Sequence, residues 1–361
     1  MKKTQQYTIF LTTNCNLRCR YCFVHLNQKK MSPSTFKKIF EYIYSIDRDV
    51  KREICLLGGE PLLAFNLVRL IPKLTVHWDL KKEDIDFSCI PSNGQIMDDD
   101  IISFFSKHKA LALKFTAHSF HPEMNLRNFN LSNSQSNSFS KFLSNVKDYK
   151  YRSGRYPRIV YVVTPLNVHR LYDFVKYFIK EGLHDIKLQT VGGWVWNQDK
   201  LDLYIRNLRS IIKFYQVLKS KNIRFKVAPI DDYLKIIKGG ESLDAGLYSD
   251  AMYFSPSGDA YVSSSPQISN VDLALKERKQ NAKFFIGNIH EGIDLEKRDT
   301  LRKYLTCKPQ YLDCAEHFPV PCENIRSFAF YGWDEKKLYN YVKVEQKIFY
   351  EITQLFCNAT I

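Results

Sequence analysis

No stretch of the chain approaches the roughly 18 consecutive apolar residues that a helix needs to cross a bilayer, which argues against a spanning helix. A secretory signal is lacking as well. The N-terminus, MKKTQQYTIFLTTNC, carries two lysines, but its apolar run is too short for a signal core and no small-residue cleavage site follows. A cytoplasmic protein with no membrane partner is the expectation. Acidic side chains are scarce beside basic ones, 38 against 53, leaving a net charge of +15. Such a balance favours acidic partners, nucleic acid among them; spread along the chain without one basic block, it is equally the mark of a lysine-rich solvated surface. Apolar residues are not scarce. At 45% hydrophobic and 14% aromatic content, the 361 residues can offset the entropy of ordering most of the chain. General disorder is therefore excluded, and the length allows two domains or one with a large extension.

The first 190 residues alternate short β-branched or aromatic runs with amphipathic stretches, the pattern of βα units around a parallel sheet. Expected strands are Tyr7 to Thr13, Glu53 to Leu57, Asp86 to Ile90, Leu111 to Ala117, Ile159 to Thr164 and Asp185 to Gln189. Six are fewer than the eight of a closed barrel. Ser34 to Ile46 and Leu171 to Glu181 carry helical spacing, the second stopping at Gly182. Asn128 to Ser140, rich in Ser and Asn and without a period, reads as a loop. Beyond Gln189 the pattern changes. Leu201 to Leu218 is a long amphipathic helix, and AMYFSPSGDAYVSSS from Ala251 reads as two strands about a Pro-Ser-Gly-Asp turn.

Nine cysteines is an odd count, and three of them crowd into CNLRCRYC, directly after the first strand. In a reducing compartment this clustering points to metal or redox chemistry rather than to disulfides. Cys15, Cys19 and Cys22 are soft thiolate ligands of the kind that hold iron-sulfur clusters, and three of them on a cuboidal cluster leave one iron open. A zinc knuckle completed by His25 is the alternative. Cys55 and Cys89 within strands, and Cys357 near the C-terminus, read as packing residues.

With three and two residues between its cysteines and an aromatic, Tyr21, before the last, this loop resembles the motif of the radical S-adenosylmethionine (SAM) superfamily. The resemblance implies a partial TIM-type barrel of six βα units, (β/α)6, in agreement with the strand count. It implies a 4Fe-4S cluster on the three cysteines and SAM chelating the open iron, cleaved reductively to a 5'-deoxyadenosyl radical that takes a hydrogen from substrate. Further segments carry it. Gly58, Gly59 and Glu60 in CLLGGEPLL resemble the family's GGE motif near the methionine amino group. Ser92 and Asn93 in SNG resemble a segment near the SAM ribose, and Ser119, Asn167 and Gln189 stand at later strand ends where SAM contacts are expected. His118 and His121 are candidates for proton transfer near substrate, or structural histidines of their loop.

The hairpin, FIGNIHEG at Phe285 to Gly292 and the late cysteines Cys307, Cys314 and Cys322 resemble the SPASM and twitch extensions of peptide-modifying radical SAM enzymes. Ser263, Ser264 and Ser265 stand where those relatives carry a hairpin cysteine. The three late cysteines imply an auxiliary iron-sulfur cluster, with its fourth position open or filled by a non-cysteine ligand such as His317, or a cluster-free cap. The expected division is residues 1–195 as barrel, 196–240 as connecting helix and strand, and 241–361 as a smaller α+β SPASM/twitch-like domain. The function expected is a peptide maturase that crosslinks, epimerises or oxidises a ribosomally made precursor peptide. Its partners would be an electron donor such as flavodoxin or ferredoxin and, because the cluster motif begins at Cys15, a separate leader-recognition protein, unless the second domain itself recognises the leader. The alternatives are modification of a nucleotide, nucleobase or small metabolite, with Trp194 and Trp196 as stacking residues or as packing, and a non-catalytic iron-sulfur or zinc protein.

Overall fold

A computed structural model of the chain describes residues 4–22, 24, 26–46, 50–77, 85–117, 127–128, 135–191, 194–237, 251–262, 284–306 and 335–357. In chain order the elements are β1 (Thr4–Thr12), β2 (Arg18–Cys19), α1 (Pro33–Ile46), β3 (Lys51–Gly58), α2 (Phe65–Val68), α3 (Ile71–His77), β4 (Ile85–Ser92), α4 (Asp99–Lys107), β5 (Leu111–Ala117) and β6 (Arg127–Asn128). There follow α5 (Gln135–Ser153), β7 (Arg158–Val163), α6 (Leu171–Lys180), β8 (Asp185–Thr190), α7 (Gln198–Ser220), β9 (Lys226–Ala228) and α8 (Ile230–Ile237). The C-terminal part adds β10 (Met252–Phe254), β11 (Asp259–Tyr261), β12 (Phe285–Asn288), β13 (Gly292–Ile293), α9 (Leu295–Thr306) and α10 (Glu335–Cys357).

Local sequence explains these choices. In β5, LALKFTA, burial alternates strictly, with Leu111, Leu113, Phe115 and Ala117 inside, the period-two pattern of a strand with one face in the core. In α6 the buried residues Leu171, Phe174, Val175, Phe178 and Ile179 fall three and four apart, a single helical stripe. Asp98 caps α4 by accepting from Ile101 N at 2.8 Å, and Asn197 caps α7 by accepting from Lys200 N at 3.0 Å.

The strand order is β13-β12-β11-β10-β1-β3-β4-β5-β7-β8-β9. From β1 to β9 every pairing is parallel, and β10 also lies parallel to β1, so Tyr7 is flanked by Ile54 on one side and Met252 on the other. The sheet is open, with β13 and β9 at its edges, as the partial-barrel expectation requires. All six expected strands are present. A further strand, β9, extends the series beyond the six; its three residues are too few to show a period in the sequence.

One expectation changes. The stretch 128–140, expected to be a loop, contributes Asn128 to β6 and its end to α5, which starts at Gln135. The first turns of α5 are polar, and its buried stripe, Phe142, Val146 and Tyr149, begins only afterwards. The hairpin is found as β10 and β11, turning at Ser255–Gly258, where Gly258 has φ +88°. Its strands are hydrogen-bonded into the barrel's own sheet through the pairing of β10 with β1. Among the described residues no helix is long and apolar enough to cross a membrane.

Candidate active site

At the end of β1 the chain leaves the sheet and returns to it, and the loop between carries the cysteine triad. Its base is tied shut. Thr13 N donates to Lys29 O at 2.8 Å, Met31 N to Leu11 O at 2.9 Å and Thr12 Oγ1 to Lys29 O at 2.8 Å. Within the loop Cys22 N donates to Cys19 O at 3.0 Å, and Arg18 Nη1 donates to the carbonyls of Cys15 and Leu17 at 2.7 and 2.9 Å. The pairing of β2 with β6 sets Cys19 opposite Arg127.

All three cysteines are free and half-buried. Burial is the main cause that pushes the Cys15 thiol up to about 11, with Glu60 and Cys19 adding to it. Cys22 is likewise pushed up to about 11, by burial first and then by the charges of Cys19 and Cys15. As bare thiols these two stay protonated at neutral pH. Holding them as thiolates requires a cationic centre, whose binding releases protons. Among the described residues no three His, Cys, Asp or Glu side chains are grouped to hold one metal ion. The three thiols nevertheless lie near enough to feel one another's charge, and a set of soft donors too far apart for a single ion and in need of positive charge fits a multi-iron cluster.

The GGE segment presses against this loop. Gly59 N donates to Thr12 O at 2.9 Å and Glu60 N to Asn14 O at 2.8 Å. A Cβ on Gly59 would lie 2.4 Å from Asn14 O and 2.9 Å from Cys15 Cβ, so only glycine permits the approach. The carboxylate of Glu60 is fully buried. Its Oε1 accepts from Leu62 N at 3.1 Å and its Oε2 from Asn93 N at 2.7 Å, which ties the end of β3 to the end of β4.

Ser92 is buried and accepts from Gly94 N at 3.1 Å. Asn93 reaches the cysteine loop: its Nδ2 donates to Asn16 Oδ1 at 2.7 Å and to Cys15 Sγ at 3.8 Å. Asn167 is fully buried; its Oδ1 accepts from Thr164 N at 2.7 Å and its Nδ2 donates to Val162 O at 2.9 Å, closing the turn after β7. Gln189 is exposed near the end of β8. The structure therefore gathers Cys15, Cys19, Cys22, Gly58, Gly59, Glu60, Ser92 and Asn93 at the ends of three adjacent strands, β1, β3 and β4, with Asn167 and Gln189 at the ends of β7 and β8. His118, Ser119, His121, Cys307, Cys314 and Cys322 lie outside the described residues, as do His25, His317 and Ser263 to Ser265.

Several residues at this end of the barrel gave no signal in the sequence. Asn16 is the partner of Asn93. Tyr161, pushed well up by burial and further by the charges of Tyr21 and Tyr204, stacks on Phe174 of α6. The hydroxyls of Tyr161 and Thr164 are buried without a hydrogen-bond partner among the described residues. Buried polar atoms of this kind call for a partner such as an ordered water, an ion or a polar ligand group. Glu345 comes from α10 to the end of β8. Burial pushes its carboxyl up to about 7, against the opposing influence of the Thr190 hydroxyl and the Lys187 charge.

Trp196, read as a stacking residue or as packing, is packing. It is buried on Tyr204, ring centroids 5.5 Å apart and 29° from parallel.

The chain matches the Radical SAM superfamily over residues 9–206. An uncharacterized protein of Methanocaldococcus jannaschii is 31% identical over 184 residues, 50% of this chain and 60% of that one. A GTP 3',8-cyclase of Clostridium perfringens is 32% identical over 100 residues, 26% of this chain and 28% of that one, so the similarity spans less than two thirds of either relative. In fold, the chain resembles native anSMEcpe with bound AdoMet and Cp18Cys peptide, at a TM-score of 0.74 and 17% identity, over 97% of this chain and 96% of that one. It also resembles SuiB of Streptococcus suis bound to the precursor peptide SuiA, at a TM-score of 0.59 and 13% identity, over 96% of this chain and 76% of that one. The superfamily match covers the cysteine loop, the GGE and SNG segments, most of the first expected barrel strand and all of the other five, and the open parallel sheet agrees with it: the chain belongs to the radical SAM superfamily, a family of enzymes that use a 4Fe-4S cluster and SAM.

Proposed function

We propose that this enzyme modifies a ribosomally made peptide, taking a hydrogen from a side chain or α-carbon so that the residue is crosslinked, epimerised or oxidised. The observation that carries this reading is the extent of the fold likeness. It continues past residue 206, where the superfamily match stops, over nearly the whole chain of a structure holding a peptide. A second feature agrees. Leu63, Leu166 and Val195 are exposed large apolar residues just beyond β3, β7 and β8, at the end of the barrel that carries the cysteine loop. An apolar rim suits peptide side chains better than a polyphosphate.

In this reading Cys15, Cys19 and Cys22 would hold the cluster, and the bound cluster with SAM supplies a carbon radical able to take a hydrogen atom. The protein's own part is placement. Gly58 and Gly59 let the end of β3 lie on the cysteine loop, Glu60 locks β3 to β4, and the buried hydroxyls of Thr164 and Tyr161 offer polar contacts at the end of β7. The region from residue 241 onward, built onto β1 through β10, would cover the substrate. His118 and His121 would serve proton transfer.

A nucleotide substrate is the second reading, favoured by the similarity to GTP 3',8-cyclase over a quarter of the chain. The two separate in one experiment. Protein reconstituted with iron and sulfide under anaerobic conditions is given SAM and dithionite, with either a synthetic peptide encoded beside its gene or GTP. The peptide should raise 5'-deoxyadenosine formation and emerge with a changed mass. Stimulation by GTP and not by the peptide would replace the first reading with the second.

A further inference from the structure

The Asn93 side chain, in the segment that resembles the one near the SAM ribose, also bonds toward the cysteine loop. Its Oδ1 accepts from Gln95 N at 2.9 Å, which fixes the amide orientation, because only the carbonyl end can face a backbone N–H. The two protons on Nδ2 then have two acceptors, Asn16 Oδ1 at 2.7 Å and Cys15 Sγ at 3.8 Å. The backbone is fixed as well, since Asn93 N donates to the fully buried Glu60 carboxylate at 2.7 Å. Asn93 itself is 9% exposed, so water competes little for these bonds. A contact of 3.8 Å to a neutral thiol is weak; it strengthens when the sulfur carries charge.

We propose that Asn93 is a positioning residue for the cluster, donating a hydrogen bond to the Cys15 thiolate and thereby holding the cluster's reduction potential up, with Glu60 keeping it in place. The inference rests on Cys15 being a cluster ligand. A donor at the sulfur withdraws electron density and stabilises the reduced, more negative cluster over the oxidised one. Asn93 thus makes the cluster easier to reduce by a physiological donor, a role separate from any contact with SAM.

The test is an EPR-monitored redox titration of reconstituted full-length protein, with iron and sulfide counted for each preparation. Asn93→Ala should keep the iron of the parent and titrate at a more negative midpoint. Asn93→Asp keeps the acceptor for Gln95, replaces the donor with negative charge and should shift the midpoint further the same way; it gives the same reading if the alanine variant is insoluble. A midpoint unchanged in either variant, at equal iron content, overturns the inference. So does loss of iron from both variants when the apo proteins melt like the parent, because the residue would then assemble the cluster rather than tune it. A parent protein that takes up no cluster, or a Cys15→Ala protein that keeps it, overturns instead the assignment of Cys15.

Discussion

Gly59 shows how closely backbone and cofactor loop are fitted. A methyl group at this position would meet Asn14 O at 2.4 Å, the Asn14 carbonyl carbon at 2.7 Å and Cys15 Cβ at 2.9 Å. Two of those atoms are backbone and cannot rotate aside, so the cysteine loop itself has to move. Gly59→Ala is expected to destabilise the apo protein by about 1 to 3 kcal/mol and to lower iron uptake on reconstitution. An alanine variant with the parent's urea midpoint and iron content would show that the loop adapts freely. At this scale the sequence was informative where chemistry is carried by identity and spacing: three cysteines in eight positions, two glycines before a glutamate. It was silent where a role depends on distant partners. Asn93 and Asn16 meet across 77 positions of chain, and nothing near either one announces the other. Glu60 is the intermediate case, since the motif marks it as important while the structure shows its two oxygens engaged by the amides of Leu62 and Asn93.

Among the elements, α10 was the one least visible beforehand. Its apolar residues Val344, Ile348 and Ile352 recur every four positions, but Tyr and Phe residues fall between them and blur the stripe. Folded, it lies on α7 and α8. Tyr233 meets Phe349 at 5.0 Å between ring centroids, Tyr215 meets Phe356 at 6.1 Å, and Arg209 pairs with Glu351 through two bonds of 2.9 and 2.8 Å. Packing and ion pair differ in weight. Ile348 is 1% exposed, so Ile348→Ala leaves a cavity and should cost about 2 to 5 kcal/mol. The Arg209 side chain is 53% exposed, water screens the pair, and Glu351→Ala should cost about 1 kcal/mol or less. Urea unfolding of the two variants checks the order; a larger loss from Glu351→Ala would mean that charge rather than burial docks the helix. The barrel strands were legible for the opposite reason. Each has a face in the core, and alternation such as that of β5 survives in the sequence, whereas β9, three residues long, offers no period to read.

For the molecule as a whole, the docking of α10 on the barrel couples folding to pH through Glu345. Its carboxyl is pushed from 4.5 to about 7, first by burial, while the Thr190 hydroxyl and the Lys187 charge pull it back. The sign follows from proton counting. Below pH 4.5 the group is protonated whether the chain is folded or not, and above pH 7 it is ionised in both states. Between those limits the folded state binds a proton that the unfolded state has released, so stability falls as pH rises through the interval. Other displaced groups among the described residues do not interfere: the Cys15 and Cys22 thiols and the buried tyrosines are moved upward from 9 or above, and Asp202 is moved down from 3.8. The native protein should therefore lose on the order of 2 to 3 kcal/mol between pH 5 and pH 7.5 through this residue. Glu345→Gln, which keeps size and polarity but cannot ionise, should be the more stable protein at pH 7.5 and close to the parent at pH 5. Urea titrations of both at pH 5, 6, 7 and 8 isolate the effect, since every other titrating group is common to the two. Parallel stability curves would place the Glu345 carboxyl in contact with solvent and remove the helix-to-barrel contact as the origin of the pH dependence.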